Sequence, residues 1–124
     1  MTIFGDSAVE AVRLFTEGGL KDPDEAWYLA IKSMTTSAAT REKGCPKSAF
    51  LGLCEMGLVR GIPKGTYTTS YDNKRYALSA IEKLRNNPSL SLNREKLWAS
   101  VAGDKAHNGQ MDVVLSLWKN NLIA

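Results

Sequence analysis

One histidine and two cysteines are the only imidazole and thiol groups in the 124-residue sequence. Cys45 and Cys54 stand nine apart, which is neither a CxxC redox pair nor zinc-ligand spacing, and His107 alone cannot complete a site with them. No metal and no cofactor is therefore expected. Cys54 sits in an apolar run and reads as a small hydrophobe, whereas Cys45 beside Pro46 reads as a loop residue. Long hydrophobic runs are also missing. The longest nearly uncharged stretch, Ser48 to Val59, is too short and too glycine-rich to span a bilayer, and Met1 to Gly19 has neither the basic start nor the apolar core of a signal peptide. A cytoplasmic protein with no membrane contact is expected. Gly57, Gly61 and Gly65 have neither Rossmann nor Walker spacing, and no strand pattern precedes them, so a phosphate-cradling loop is excluded. Internal repeats and low-complexity tracts are absent.

What is present is the composition of one folded domain covering residues 1–124: 44% hydrophobic and 23% charged residues, with 16 basic and 13 acidic side chains. The charge is unevenly placed. Residues 1–40 carry three basic and six acidic groups, residues 41–96 carry eleven and five, and residues 97–124 carry two of each. A basic middle of this kind attracts phosphates or acidic partners, although spread over so many residues it is also what a solvated surface looks like.

Apolar spacing points to helices throughout. Ser7 to Glu17, capped by Asp6 or Ser7, puts Ala8, Val12 and Phe15 on one side and ends at Gly18 and Gly19. Asp22, Pro23 and Glu25 form a capping-box start for a helix whose stripe is Ala26 or Trp27, Ala30, Ile31 and Met34. Thr35 to Gly44 loses the period and reads as a mobile polar connection. Pro46 to about Val59 has Glu55 as its only acid and, after Lys47, no base, so it is expected as the apolar helix at the centre of the bundle, packed by the helix from Pro23 and by the last helix. Gly52 within it implies a close helix crossing, and Ser48, Gly52 and Glu55 mark its least buried face. Residues 60–70 form an irregular central loop, in which Thr66 to Tyr71 permits a short extended segment with no second strand to pair with. Helical spacing returns from Ser70 or Tyr71 to Asn86, with Ala77, Leu78, Ile81 and Leu84 inward, then in a shorter helix capped by Ser91 or Asn93 and carrying Leu97, Trp98 and Val101. It returns again in Met111, Val114, Leu115 and Trp118, extended by Leu122 and Ile123. The expected fold is all-α, a compact single-domain bundle of five or six helices.

Three groups of residues bear on function. Arg60, Lys64, Tyr67, Tyr71, Lys74 and Arg75 interleave bases with tyrosines around the central loop, and Tyr71 and Arg75, four apart, can stack on one helix face. With Lys105, His107 and Asn108 from the turn before the last helix, they suit an anionic small molecule or an acidic protein segment. Glu55 either pairs with Arg60 or Lys74, lies on an exposed stripe, or is a pocket acid with a raised pKa. His107 is the one side chain whose ordinary pKa suits a base near neutrality. The acids Asp22, Asp24 and Glu25 are explained by the first turn of a helix. Sequence-specific DNA reading is disfavoured, because a recognition helix shows polar side chains to the groove and Ala49 to Val59 shows almost none.

Two blocks carry a resemblance. AFLGLCEMGLVRGIPKG (Ala49–Gly65), with Tyr67 and NKRYA (Asn73–Ala77), resembles a small bacterial domain family of unknown function, and NGQMDVVLSLW (Asn108–Trp118) is similar to that family's closing block. With the stretch between them these span roughly the last three-fifths of the chain. Single-domain proteins of this sort occur among mobile gene cassettes such as those of integrons. The resemblance implies a mostly helical bacterial protein and assigns no catalytic residue. Three functions remain open: a non-enzymatic binding module using the basic and aromatic loop, which the residues favour; an enzyme of unassigned type using Glu55 or His107; and a homo-oligomeric interaction module, to which three tryptophans would contribute a homodimer surface.

Overall fold

Several helices begin where a side chain can satisfy one of their free amides. In the computed structural model, which describes residues 2–124, α1 (Ile3–Gly18) is capped by Thr2, whose hydroxyl accepts from Gly5 N at 3.0 Å. Asp6 and Ser7, the expected caps, lie inside this helix because Thr2 already offers the extended backbone and the acceptor. Gly19 ends it. For α2 (Pro23–Met34) the expected start holds: Asp22 Oδ1 accepts from Asp24 N at 3.0 Å and Pro23 opens the first turn. Among the described residues no bond returns from Asp22 N to Glu25, so the box is half made. Ala26, Trp27, Ala30 and Ile31 are buried, but Met34 is 38% exposed, since the helix stops on it and Thr35 is already extended.

The polar connection after α2 is more ordered than its composition suggests. It holds a single helical turn, α3 (Ala38–Arg41), capped by Ser37 Oγ accepting from Thr40 N. Arg41 ties this turn back to α2, donating from Nε to Thr35 O at 2.6 Å and from Nη2 to Lys32 O at 3.0 Å. Carbonyls at the end of a helix lack intrahelical donors, and a guanidinium supplies them.

The central helix α4 runs over Gly44–Glu55, two residues earlier at its start than expected and four earlier at its end. Gly57 takes φ 72, its N–H donates to Cys54 O at 3.0 Å, and Leu58 N donates to Leu53 O at 3.0 Å, the two bonds of a Schellman stop. Val59, expected in the helix, instead forms an antiparallel bridge with Ile123, flanked by Arg60 N to Leu122 O at 2.8 Å and Ala124 N to Leu58 O at 2.9 Å. The extended pairing thus falls at Val59 and not at Thr66 to Tyr71, where residues 62–70 form an irregular loop. The remaining helices are α5 (Tyr71–Asn86), α6 (Arg94–Ala102), capped by Asn93 Oδ1 accepting from Lys96 N, and α7 (Gln110–Lys119), with a 3-10 turn at Pro88–Leu92 before α6. α7 stops before Leu122 and Ile123, because Asn121 turns with φ 58 and frees Ile123 for the bridge.

α4 lies in the core of this all-α fold, with Pro46 and every residue from Ala49 to Cys54 buried, and shares that place with α7, which packs on α1, α4, α5 and α6. α5 and α7 are the main cover of α4 and α2 a lesser one, because α2 spends its apolar face chiefly on α1. Gly52 is buried, not on an outer stripe: α5 crosses it so closely that a Cβ there would stand 2.8 Å from Lys74 Cα. Trp27 packs on Phe50 with ring centres 5.6 Å apart. Burial of the Cys54 thiol pushes its pKa far up, so it is an inert core residue. Among the described residues no helix is long and apolar enough to cross a membrane, and no cluster of three His, Cys, Asp or Glu side chains is placed to hold a metal ion.

Candidate ligand-binding surface

The last turn of α4 and the first turns of α5 meet at Glu55. Its Oε1 accepts from Tyr67 N at 2.7 Å and from Thr68 N at 3.2 Å, while Oε2 pairs with the Lys74 ammonium. Of the two partners the sequence offered, Lys74 is taken and Arg60 is not. The pair is partly covered, the side chains being 12% and 23% exposed. A pocket acid would titrate high, but the Lys74 hydrogen bond and the two amides outweigh desolvation and hold Glu55 down to about 2. Glu55 is thus a fixed anion that pins the central loop, and Lys74 has little charge left to offer a ligand.

The central loop is closed on itself. Tyr67 donates its hydroxyl to Pro63 O at 2.7 Å and lays its ring against Gly65, where a Cβ would stand 2.5 Å from the ring. The stem of Lys64 covers Gly57. Arg60 is exposed, but its backbone belongs to the bridge with the last residues.

A second group does assemble, around a tyrosine that sequence reasoning passed over. The Arg75 guanidinium stands 5.1 Å from the centre of the Tyr76 ring and the Lys105 ammonium 5.9 Å from the same centre. Arg75 therefore lies on Tyr76, its neighbour, and not on Tyr71, which the helix start leaves 73% exposed. Beneath the cations runs a train of rings: Tyr76 meets Trp98 edge to face at 5.1 Å, and Trp98 meets His107 likewise at 5.1 Å. Trp98 Nε1 donates to Lys105 O at 2.7 Å and so holds the turn that carries Lys105. The two segments are latched by a polar chain: buried Gln110 donates from Nε2 to Asn73 Oδ1 at 3.0 Å and accepts from Asn108 N at 2.8 Å, and Asn73 donates to Ser70 Oγ at 2.9 Å.

His107 is half-buried in this train. Its Nε2 accepts from Met111 N at 3.0 Å, so the ring caps α7 in its neutral form with the proton on Nδ1. Burial lowers its pKa, and Arg94 adds to this while Asp112 and Glu95 oppose it. The structure brings Arg75, Lys105, His107 and Asn108 into one group, leaves Tyr71 exposed one helical turn before Arg75, and leaves Arg60, Lys64, Tyr67 and Lys74 engaged in the architecture of the loop. Trp98 was legible only as an apolar residue of its helix, and Tyr76 only as part of the block Asn73–Ala77; the signal for their role was the position of Tyr76 directly after Lys74 and Arg75.

A family model described as "Family of unknown function (DUF6979)" matches residues 1–124. No curated protein and no solved structure matches.

Proposed function

The chain belongs to this family of unknown function, and from its surface chemistry we propose that it is a non-enzymatic binding module recognising an acidic ligand through Tyr71, Arg75 and Lys105. The observation that carries the reading is the pair of cations held over one ring, at 5.1 and 5.9 Å from the centre of Tyr76; Tyr71, 73% exposed, stands one helical turn before Arg75 on the same helix. Among the described residues Arg75 reaches one carboxylate, Asp72, at only 3.7 Å and with both groups well exposed, so its donors stay available. Tyrosine and arginine are the side chains that dominate binding energy at interfaces, and a projecting ring flanked by cations suits a carboxylate-rich segment of a partner protein. The alternative of catalysis has less support: Glu55 is spent on Lys74 and two amides, and His107 Nε2 on the α7 amide. A bacterial, cytoplasmic setting on a mobile gene cassette belongs to the same reading; the first and last rest on the resemblance of the two sequence blocks.

The test is a titration of the full chain with a short Glu-rich peptide and its Gln-rich counterpart, followed by amide resonances. Shifts at residues 71–76 and 105–108 with the acidic peptide, lost in Arg75→Gln/Lys105→Gln, support the reading. Shifts confined to other regions overturn it.

A further inference from the structure

A cavity of about 420 Å³ opens between α2, α3 and the start of α4, lined by Tyr28, Ala38, Arg41, Glu42, Lys43 and Lys47. None of these residues belongs to the surface proposed above, and the inference does not rest on it. The lining carries three cations against one acid. Among the described residues neither Arg41 nor Lys43 has a carboxylate within ion-pair distance, and Lys47 reaches Asp24 only at 3.6 Å, so little of this charge is neutralised; the Lys43 ammonium stands 5.9 Å from the centre of the Phe4 ring of α1, a contact a phosphate would draw it from. Lys32 adds to it, its ammonium standing 5.7 Å from the centre of the Tyr28 ring.

Two features make this more than a scatter of surface bases. Arg41 is already immobilised by its bonds to Thr35 O and Lys32 O, so the ordering of its long side chain is complete before any ligand arrives, and its Nη1 has no acceptor among the described residues. Tyr28 is 53% exposed although it is a large aromatic, and it forms one wall of the cavity. The volume lies toward the lower end of the roughly 300 to 1,000 Å³ typical of small-molecule sites, which fits a ligand the size of a nucleotide.

We propose that this cavity binds a small phosphorylated compound with a planar ring, of the nucleoside monophosphate class. The phosphate lies among Arg41, Lys43 and Lys47, and the ring lies on Tyr28. A phosphate dianion presents three acceptor oxygens to three cationic donors, a better match than a single carboxylate. Glu42, the one acid of the lining, is an acceptor for hydroxyl or amino groups of such a ligand.

The experiment titrates the full chain with adenosine monophosphate, adenosine and inorganic phosphate by calorimetry and amide shifts. Arg41 is left in place because it also closes α2; the variants are Lys43→Gln/Lys47→Gln and Tyr28→Ala, each checked for native helix content by circular dichroism. The expected result is binding of adenosine monophosphate with shifts at Tyr28 and residues 41–47. The affinity should fall by about tenfold or more in the double-lysine variant. Tyr28→Ala should weaken adenosine monophosphate and leave inorganic phosphate unchanged, and Arg75→Gln/Lys105→Gln should change neither. No response to millimolar adenosine monophosphate, an unaltered affinity in the double-lysine variant, or an equal loss in Arg75→Gln/Lys105→Gln would overturn the assignment.

Discussion

Lys74 lies across Gly52 with its backbone and the base of its side chain before its ammonium reaches Glu55: a Cβ on Gly52 would stand 2.8 Å from both Cα and Cβ of Lys74. Two opposing effects act on Gly52→Ala. Alanine gains up to about 1 kcal/mol in helix propensity, but two of the obstructing atoms are Lys74 Cα and Cβ, which move only if the α5 backbone moves. Overpacking prevails, and we expect a net loss of about 1 to 3 kcal/mol, read as a lower urea midpoint. An unchanged or raised midpoint would mean that α4 and α5 separate at little cost.

Glu55→Gln keeps an acceptor for the Tyr67 and Thr68 amides but leaves Lys74 without its counter-ion. Losing one partner of a fully buried pair costs about 3 to 5 kcal/mol; this pair is partly exposed, so about 1 to 3 kcal/mol is expected. The acid limb gives a second readout. Because folding depresses the Glu55 pKa, its stabilisation is complete above the ordinary value of 4.5 and is lost as the pH falls toward about 2. The stability of Glu55→Gln should therefore fall less steeply than that of the native chain across that window.

His107 works in the other direction. A base whose pKa is lowered by folding is protonated first in the unfolded chain, so its contribution is complete above the ordinary value of 6.5 and declines as the pH drops below it. Protonation also turns Nε2 from acceptor to donor and breaks the cap on Met111 N. His107→Ala should cost about 0.5 to 2 kcal/mol above that pH and should remove the decline below it. Urea midpoints on either side of 6.5 check both; a decline that persists in the variant would assign it to other groups.

Core and surface positions should separate cleanly. Leu117, fully buried in α7, should lose about 2 to 5 kcal/mol on replacement by alanine. Tyr71, 73% exposed, should change stability by no more than about 0.5 kcal/mol. Equal losses would contradict the burial described for both.

Local signals carried much of the architecture. Asp22 with Pro23, Gly18 with Gly19 and Asn93 are caps that act within three or four residues, and α2, the end of α1 and α6 fall where these imply. What escaped was set by distant partners. Val59 reads as a helical residue until Ile123, sixty-four positions later, claims it for a bridge. Glu55 had two plausible cations, and only the crossing at Gly52 selects Lys74 over Arg60. Arg75 folds over its neighbour Tyr76 although the four-residue spacing, which helix geometry favours, points to Tyr71. The Tyr28 cavity left no trace, since Arg41 lies in a stretch without period and is ordered by carbonyls, which sequence pattern does not reveal.

The bridge between Val59 and Ile123, with its bonds from Arg60 to Leu122 and from Ala124 to Leu58, makes the second half of the molecule a closed circuit. α5, α6 and α7 lie inside that circuit and cannot be peeled off singly from the tail inward, because the clasp has to part first. Separating α7 from α4 on that side therefore begins with the loss of these backbone bonds.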